Sequence, residues 1–310
     1  MSSASGIPSG VARPRWTIGG VERRRIARLD PATDHTEIAR SSLQTLHGDR
    51  RLVLGLFTVA FMKQVAVPAM ARILWRRGTG DIVRDTALRN DDTILFFGRF
   101  LDLGPDSPEG IAWIERMNEI HAHFPIRDDD ALYTLSTLAL DPADIATELG
   151  ANPFTPAELE AHWQFWRAVA QRQRLRDIPG SREEMRAWAC DYERREFAPS
   201  EAGRAVADAL ADDFTARVLP GPLRPHGREI LAVLAPANLR ETHGLPRSRP
   251  AVRAAVRAVG RAYLDGVAVR PVRLDRSLSR TFGGHRRGGA DGPAEVGYRR
   301  SGGREDDGQG

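Results

Sequence analysis

Ser107-Pro108-Glu109-Gly-Ile-Ala-Trp-Ile-Glu-Arg-Met117-Asn-Glu-Ile-His121-Ala-His123-Phe-Pro125 is the stretch from which the architecture of this chain is best read. A serine, a proline and an acid in succession match an N-cap, the first helical position and the first turn, and predict a helix from Pro108. Successive residues turn by 100°, so Ile111, Ile114, Met117 and Ile120 form one stripe. His121 follows Ile114 by seven residues and Met117 by four, which places it on that stripe and points it inward. His123 follows Arg116 and Glu119 by the same spacings and falls on the polar side, and Pro125 stops the helix. An inward imidazole is either a core histidine bonded to a backbone carbonyl or a ligand for a metal such as haem iron, with its second ring nitrogen fixing the tautomer.

A second signal lies upstream. Arg89 and Thr93 are four apart and share a face if Arg89-Asn-Asp-Asp-Thr93 is helical. A guanidinium beside a hydroxyl can hold a haem propionate or polarise dioxygen. The plainer alternative makes Arg89 a solvated surface residue and Thr93 the N-cap of the apolar run Ile94-Leu-Phe-Phe97.

Taken together, Arg89-Asn-Asp-Asp-Thr93, Ile120-His121, Asp129-Asp130-Ala-Leu-Tyr133-Thr-Leu-Ser136, Phe165-Trp166-Arg-Ala-Val-Ala and Leu234-Ala-Pro-Ala-Asn-Leu239-Arg with Gly244-Leu-Pro246 resemble, in order and spacing, the MpaB/rubber oxygenase family over about residues 40–245. That resemblance implies a globin-like helical domain holding haem b, with His121 as the proximal iron ligand and with Arg89, Asp92 and Thr93 in the haem pocket. Arg89 and Thr93 would be its catalytic residues. The latex-clearing branch carries a lysine before the threonine, whereas this chain has Asp92 and is similar to the MpaB-type branch. The catalytic acid of rubber oxygenases has no single counterpart, and Asp81, Asp85, Asp91 and Asp92 are all open.

Composition bounds the remainder. With 310 residues, 41% of them hydrophobic, the chain can bury one large core. Cys190 is the single cysteine, which excludes an internal disulfide, a cysteine-based zinc site and a cysteine-held iron–sulfur cluster, and suits a reducing compartment. Its setting in Trp188-Ala-Cys190-Asp-Tyr192 reads as core filler rather than a haem thiolate. Net charge is +4, and the basic surplus lies after Pro246, where Arg247, Arg249, Arg253, Arg257 and Arg261 interleave with Val252, Val256 and Val259. A basic amphipathic helix of that kind is most simply a solvated face, although it leaves peripheral membrane contact open. No recognition-helix or aromatic-stacking pattern points to nucleic acid.

The expected layout is a disordered tail over 1–15, a helical domain over 16–270 and a disordered Gly/Arg-rich tail over 271–310. Helices are expected over 34–46, 51–62, 68–77 and 128–140, with Asp141-Pro142 opening the next and Pro156 a long one through Ala170. Thr134, Leu135, Leu132 and Leu138 are candidates for a pocket lining, and Trp163, Phe165 and Trp166 either form its wall or simply pack in the core. The apolar stretch Leu52–Trp75 is broken by Lys63, Gln64, Pro68 and Arg72, so it reads as two core helices rather than a span. Neither a signal peptide nor a transmembrane segment is visible, and a cytoplasmic location follows as an expectation. The fold class is all-α. The expected function is a haem-dependent oxygenase cleaving a C=C bond of a lipophilic, isoprenoid-like substrate with dioxygen; the alternative is a non-enzymatic haem- or lipid-binding helical protein.

Overall fold

A computed structural model describes residues 15–46, 50–282 and 292–297. Its first elements are the short strand β1 (Trp16–Ile18), then α1 (Gly19–Ile26), α2 (His35–Leu46), α3 (Arg50–Val65), α4 (Pro68–Trp75) and α5 (Asp81–Arg84). The middle of the chain forms α6 (Thr86–Leu103), α7 (Pro108–His121), α8 (Asp128–Glu148), α9 (Pro156–Arg172), α10 (Arg182–Glu196) and α11 (Glu201–Val218). Next come α12 (Gly227–Leu234), α13 (Ala237–His243) and α14 (Pro250–Asp265), then strand β2 (Pro271–Arg273) and α15 (Leu278–Phe282). The two strands pair antiparallel and are the whole of the sheet structure among the described residues. The fold is all-helical.

Local chemistry explains where the helices begin. Ser107 accepts from Gly110 N at 2.9 Å to cap α7, and Thr155 with Glu158 forms a reciprocal capping box on α9. Asp85, rather than Thr93, caps α6 by accepting from Leu88 N, so Thr93 lies inside that helix. The apolar faces then meet. Helix α11 packs along α3 and α4, α8 along α9 and α3, and α6 against α7 and α15. Val53, Met62, Ile94, Phe100, Ile114 and Phe165 are fully buried where these helices join, and each such side chain contributes roughly 1.5–3 kcal/mol.

Several expectations are corrected. Asp141-Pro142 does not start a helix, because α8 runs through it and Asp141 is engaged by Lys63 instead of capping backbone N–H groups. Residues 271–282, expected as tail, form β2 and α15. Helix α15 seats on α6 because Gly98 has no Cβ to collide with Ser279, whose Cα would lie 2.6 Å away, and because the Asp102 carboxylate accepts from Leu278 N and Ser279 N at 2.7 and 2.9 Å. The expectations for residues 1–14, 283–291 and 298–310 fall outside the described residues. Cys190 is exposed, not core filler. Among the described residues no single helix is long and apolar enough to cross a membrane; α3 and α4, with the turn after α4, form a pair bent by 108°.

Candidate active site

Helices α3 to α8 enclose a cavity of about 470 Å³, within the roughly 300–1,000 Å³ usual for small-molecule and cofactor sites. Its walls are mostly apolar, with Phe61, Met70, Leu74, Phe96, Ile120 and Leu135 among them. All four residues singled out in the sequence, Arg89, Asp92, Thr93 and His121, line it.

Helix periodicity divides the Arg89–Thr93 stretch between two faces. Arg89, Asp92 and Thr93 face the cavity, and Arg89 Nη1 donates to Thr93 Oγ1 at 2.5 Å. Asn90 and Asp91 point the other way. Asn90 donates to Asp213 at 3.1 Å, and Arg217 bridges Asp91 at 2.5 Å and Asp213 at 3.1 Å, which ties α6 to α11. Asp91 is therefore outside the cavity, while Asp81 and Asp85 line it with Asp92. The open choice of acid narrows to those three.

His121 is the last residue of α7, partly buried, and its ring has no hydrogen-bond partner among the described residues. Burial, and then the nearby Arg89 guanidinium, push its pKa from 6.5 down to about 4. The imidazole is thus neutral across physiological pH, the form that ligates metals. His123 is exposed and its Nδ1 meets Glu119 O at 2.7 Å, as its place on the polar side predicts. Two other histidines are held by protein partners: His162 Nε2 by Ser42 Oγ at 2.5 Å and His243 Nε2 by Met62 O at 2.8 Å.

Burial also lowers the pKa of Arg89, against the fields of Asp92 and Asp81. These carboxylates act on it through space, and its side-chain hydrogen bond goes to the Thr93 hydroxyl. A largely enclosed guanidinium with so few bonds suits an incoming anion. A neutral imidazole and an under-bonded cation are the two kinds of group an iron porphyrin would require, a nitrogen donor for the metal and a counter-charge for a propionate, so the chemistry of these residues fits haem. Among the described residues no group of three or more His, Cys, Asp or Glu is placed to hold a bare metal ion.

A family model described as "ER-bound oxygenase mpaB/B'/Rubber oxygenase, catalytic domain" matches residues 44–264. The chain belongs to that family. Among curated relatives, ER-bound oxygenase mpaB' of Penicillium brevicompactum is 23% identical over 198 residues, 59% of this chain and 47% of that protein. ER-bound oxygenase mpaB of Penicillium roqueforti (strain FM164) is 22% identical over 198 residues, 59% of this chain and 66% of its own. The chain thus spans about half to two thirds of the length of these relatives. Among solved structures, latex clearing protein in the closed state superposes with a TM-score of 0.55 at 16% identity, over 84% of this chain and 76% of that one. This last likeness is one of fold.

Two features of this MpaB/rubber oxygenase family member escaped the sequence reading, Gly297 and Lys63, and the expectations for α8 and α9 are settled by the cavity lining. Gly297, from the stretch expected as a disordered Gly/Arg-rich tail, lines the cavity at φ +82°, and a Cβ there would lie 2.7 Å from Ile120 Cδ1. Of the two readings open for the aromatics of α9, Trp163 and Phe165 follow the core one, and Trp166 packs edge-on against Phe97 at 5.9 Å. Thr134 and Leu135 do line the cavity, but Leu132 and Leu138 do not. Lastly, Lys63, the single lysine of the chain, is enclosed beside the site and paired to Asp141 at 2.7 Å and Glu193 at 3.4 Å. Glu193 also accepts from Tyr133 OH at 2.7 Å and Asn238 Nδ2 at 2.6 Å. Residues so far apart in sequence leave no periodic trace.

Proposed function

We propose that this chain is a haem b-dependent oxygenase that acts on a lipophilic, isoprenoid-like substrate, cleaving a C=C bond with dioxygen. The observation that carries the reading is a neutral, partnerless imidazole, His121, sharing an apolar cavity with the under-bonded guanidinium of Arg89. Membership of a family described by its oxygenases supports the reaction class.

When bound, haem supplies the one-electron and dioxygen chemistry that side chains lack. The rest is the work of the protein. His121 would hold the metal through a ring that needs no deprotonation at neutral pH, since its pKa is already about 4. Arg89, oriented by Thr93 Oγ1, presents positive charge where a propionate or developing negative charge would sit, and it does so in a low-dielectric cavity where that charge acts strongly. Phe61, Phe96, Ile120 and Leu135 exclude water and favour an apolar chain as substrate. Asp92 lies on the same face, and its field together with that of Asp81 offsets part of the cost of burying the Arg89 guanidinium.

Oxygen uptake tests this. Protein loaded with haem should consume dioxygen when given a short polyprenyl substrate and yield carbonyl products, and Arg89→Ala should cut the rate at least about tenfold. Haem-loaded protein that consumes no dioxygen with polyprenyl or terpenoid substrates would instead be a carrier.

A further inference from the structure

The β1–β2 pairing gathers exposed apolar side chains at one corner of the molecule. Trp16 is 55% exposed, Ile18 43%, Val21 48% and Val269 76%, in a protein whose other apolar side chains are mostly inside. Trp16 lies opposite Arg273 and Ile18 opposite Pro271. Strand alternation therefore puts Trp16, Ile18, Pro271 and Arg273 on the outward face, while Val272 turns to the core. Gly19 N donates to Arg270 O at 2.9 Å, and Gly20 lies so close to Ala268 that a Cβ there would be 2.8 Å from its carbonyl oxygen. The first turn of α1, which carries Val21, is thereby fixed against the turn at 266–268 that leads into Val269.

Arginines surround these side chains. Arg15, Arg24, Arg28, Arg273 and Arg276 are exposed, Arg24 and Arg28 following Val21 on the same side of α1 and its C-terminal turn. The Arg273 guanidinium lies 5.1 Å from the Trp16 ring centroid. Asp275 is the acid in this group and is bonded to both Arg15 and Arg273. The corner thus combines an amphipathic indole, aliphatic tips and a surplus of cations.

We propose that this corner is a docking surface for an anionic phospholipid bilayer: Trp16, Ile18, Val21 and Val269 enter the headgroup boundary and the arginines meet the lipid phosphates. The physical case is complementarity on two counts. An indole and short aliphatic chains gain by leaving water at the depth where headgroups meet acyl chains. Arginines around them match the negative potential of an anionic leaflet and keep their charge there. The inference goes beyond the oxygenase reading and does not depend on the cavity holding haem.

Vesicle co-sedimentation of the full chain is the test. Binding is expected to phosphatidylcholine vesicles containing about a third phosphatidylglycerol, and it should fall sharply with phosphatidylcholine alone or in about 0.5 M salt. Changing Trp16→Ser, Val21→Ser and Val269→Ser together should lower the partition coefficient roughly tenfold or more. Because these side chains are exposed, the variant should keep the wild-type circular dichroism, melting curve and haem spectrum, which separates this result from any failure of the oxygenase reading. Val259→Ser, at an exposed position on α14 and outside β1, β2 and α1, should bind as wild type. Wild-type protein that ignores anionic vesicles, or a triple variant that binds them undiminished, overturns the proposal. So does a wild-type dimer that dissolves in the triple variant without vesicle binding, which would assign the corner to a second copy of the chain.

Discussion

Lys63 and Arg89 are two cations withdrawn from bulk water within the same helical layers, and they are treated in opposite ways. Burial works to lower the pKa of Lys63, but Asp141 and then Glu193 outweigh it and hold the ammonium charged well above its ordinary range. For Arg89 burial wins, and the pKa falls. Lys63 lies at 2.7 Å from one carboxylate and 3.4 Å from another. Arg89 bonds a hydroxyl. The contrast teaches how a structural charge differs from a functional one. A cation whose counter-charges are built in ties α3 to α8 and α10, whereas one left short of them is ready for an anion from outside.

The largest effect expected from this contrast is on stability. Lys63→Met leaves Asp141 and Glu193 facing each other without a cation, and should cost about 3 kcal/mol in denaturant unfolding of the haem-free protein. Arg89→Met, by removing a poorly compensated charge, should change that stability by less than about 1 kcal/mol. Equal losses in the two variants would erase the distinction.

The next effect is one of pH. An imidazole that titrates near 6.5 when unfolded and at about 4 when folded disfavours the folded state once protonated. Its contribution is constant above about 6.5, and stability declines as pH falls from there toward 4, by about 2 kcal/mol for this partly buried ring. Haem should accordingly stay bound through pH 5 and leave only as pH approaches 4. Arg89→Ala, which removes one of the two causes of the depression, should shift acid release to higher pH; an unshifted release curve in that variant would uncouple the two residues.

Thr93→Val should give the smallest effect. Losing one hydrogen bond to the Arg89 guanidinium should weaken haem binding roughly fivefold to tenfold without altering thermal stability. A change in melting temperature with unaltered affinity would make Thr93 a structural residue of α6.

What the sequence disclosed follows from range. Caps, prolines and the 3.6-residue period are local, so the starts of α7 and α9 and the inward side of α7 were legible at Ser107-Pro108 and Pro156. The division of Arg89–Thr93 between two faces was half legible: the cavity side came from the four-residue spacing, but the Asp91–Arg217–Asp213 clamp depends on a helix more than a hundred residues away. Tertiary partners also reversed local signals. Asp141-Pro142 has the form of a helix start, yet Lys63 takes the carboxylate and α8 continues. Leu278 and Ser279 lie beside a Gly/Arg-rich stretch, yet Gly98 and Asp102 of α6 bring them into the core.

Haem titration followed by its absorption band near 400 nm tests the central claim most directly, since the ligand is a single side chain. Wild-type protein and His123→Ala should each saturate at about one haem per chain with the spectrum of an imidazole-ligated iron, and His121→Ala should lose that spectrum while remaining folded. A His121→Ala variant that binds haem with an unchanged spectrum would contradict the account, as would a wild type that binds none.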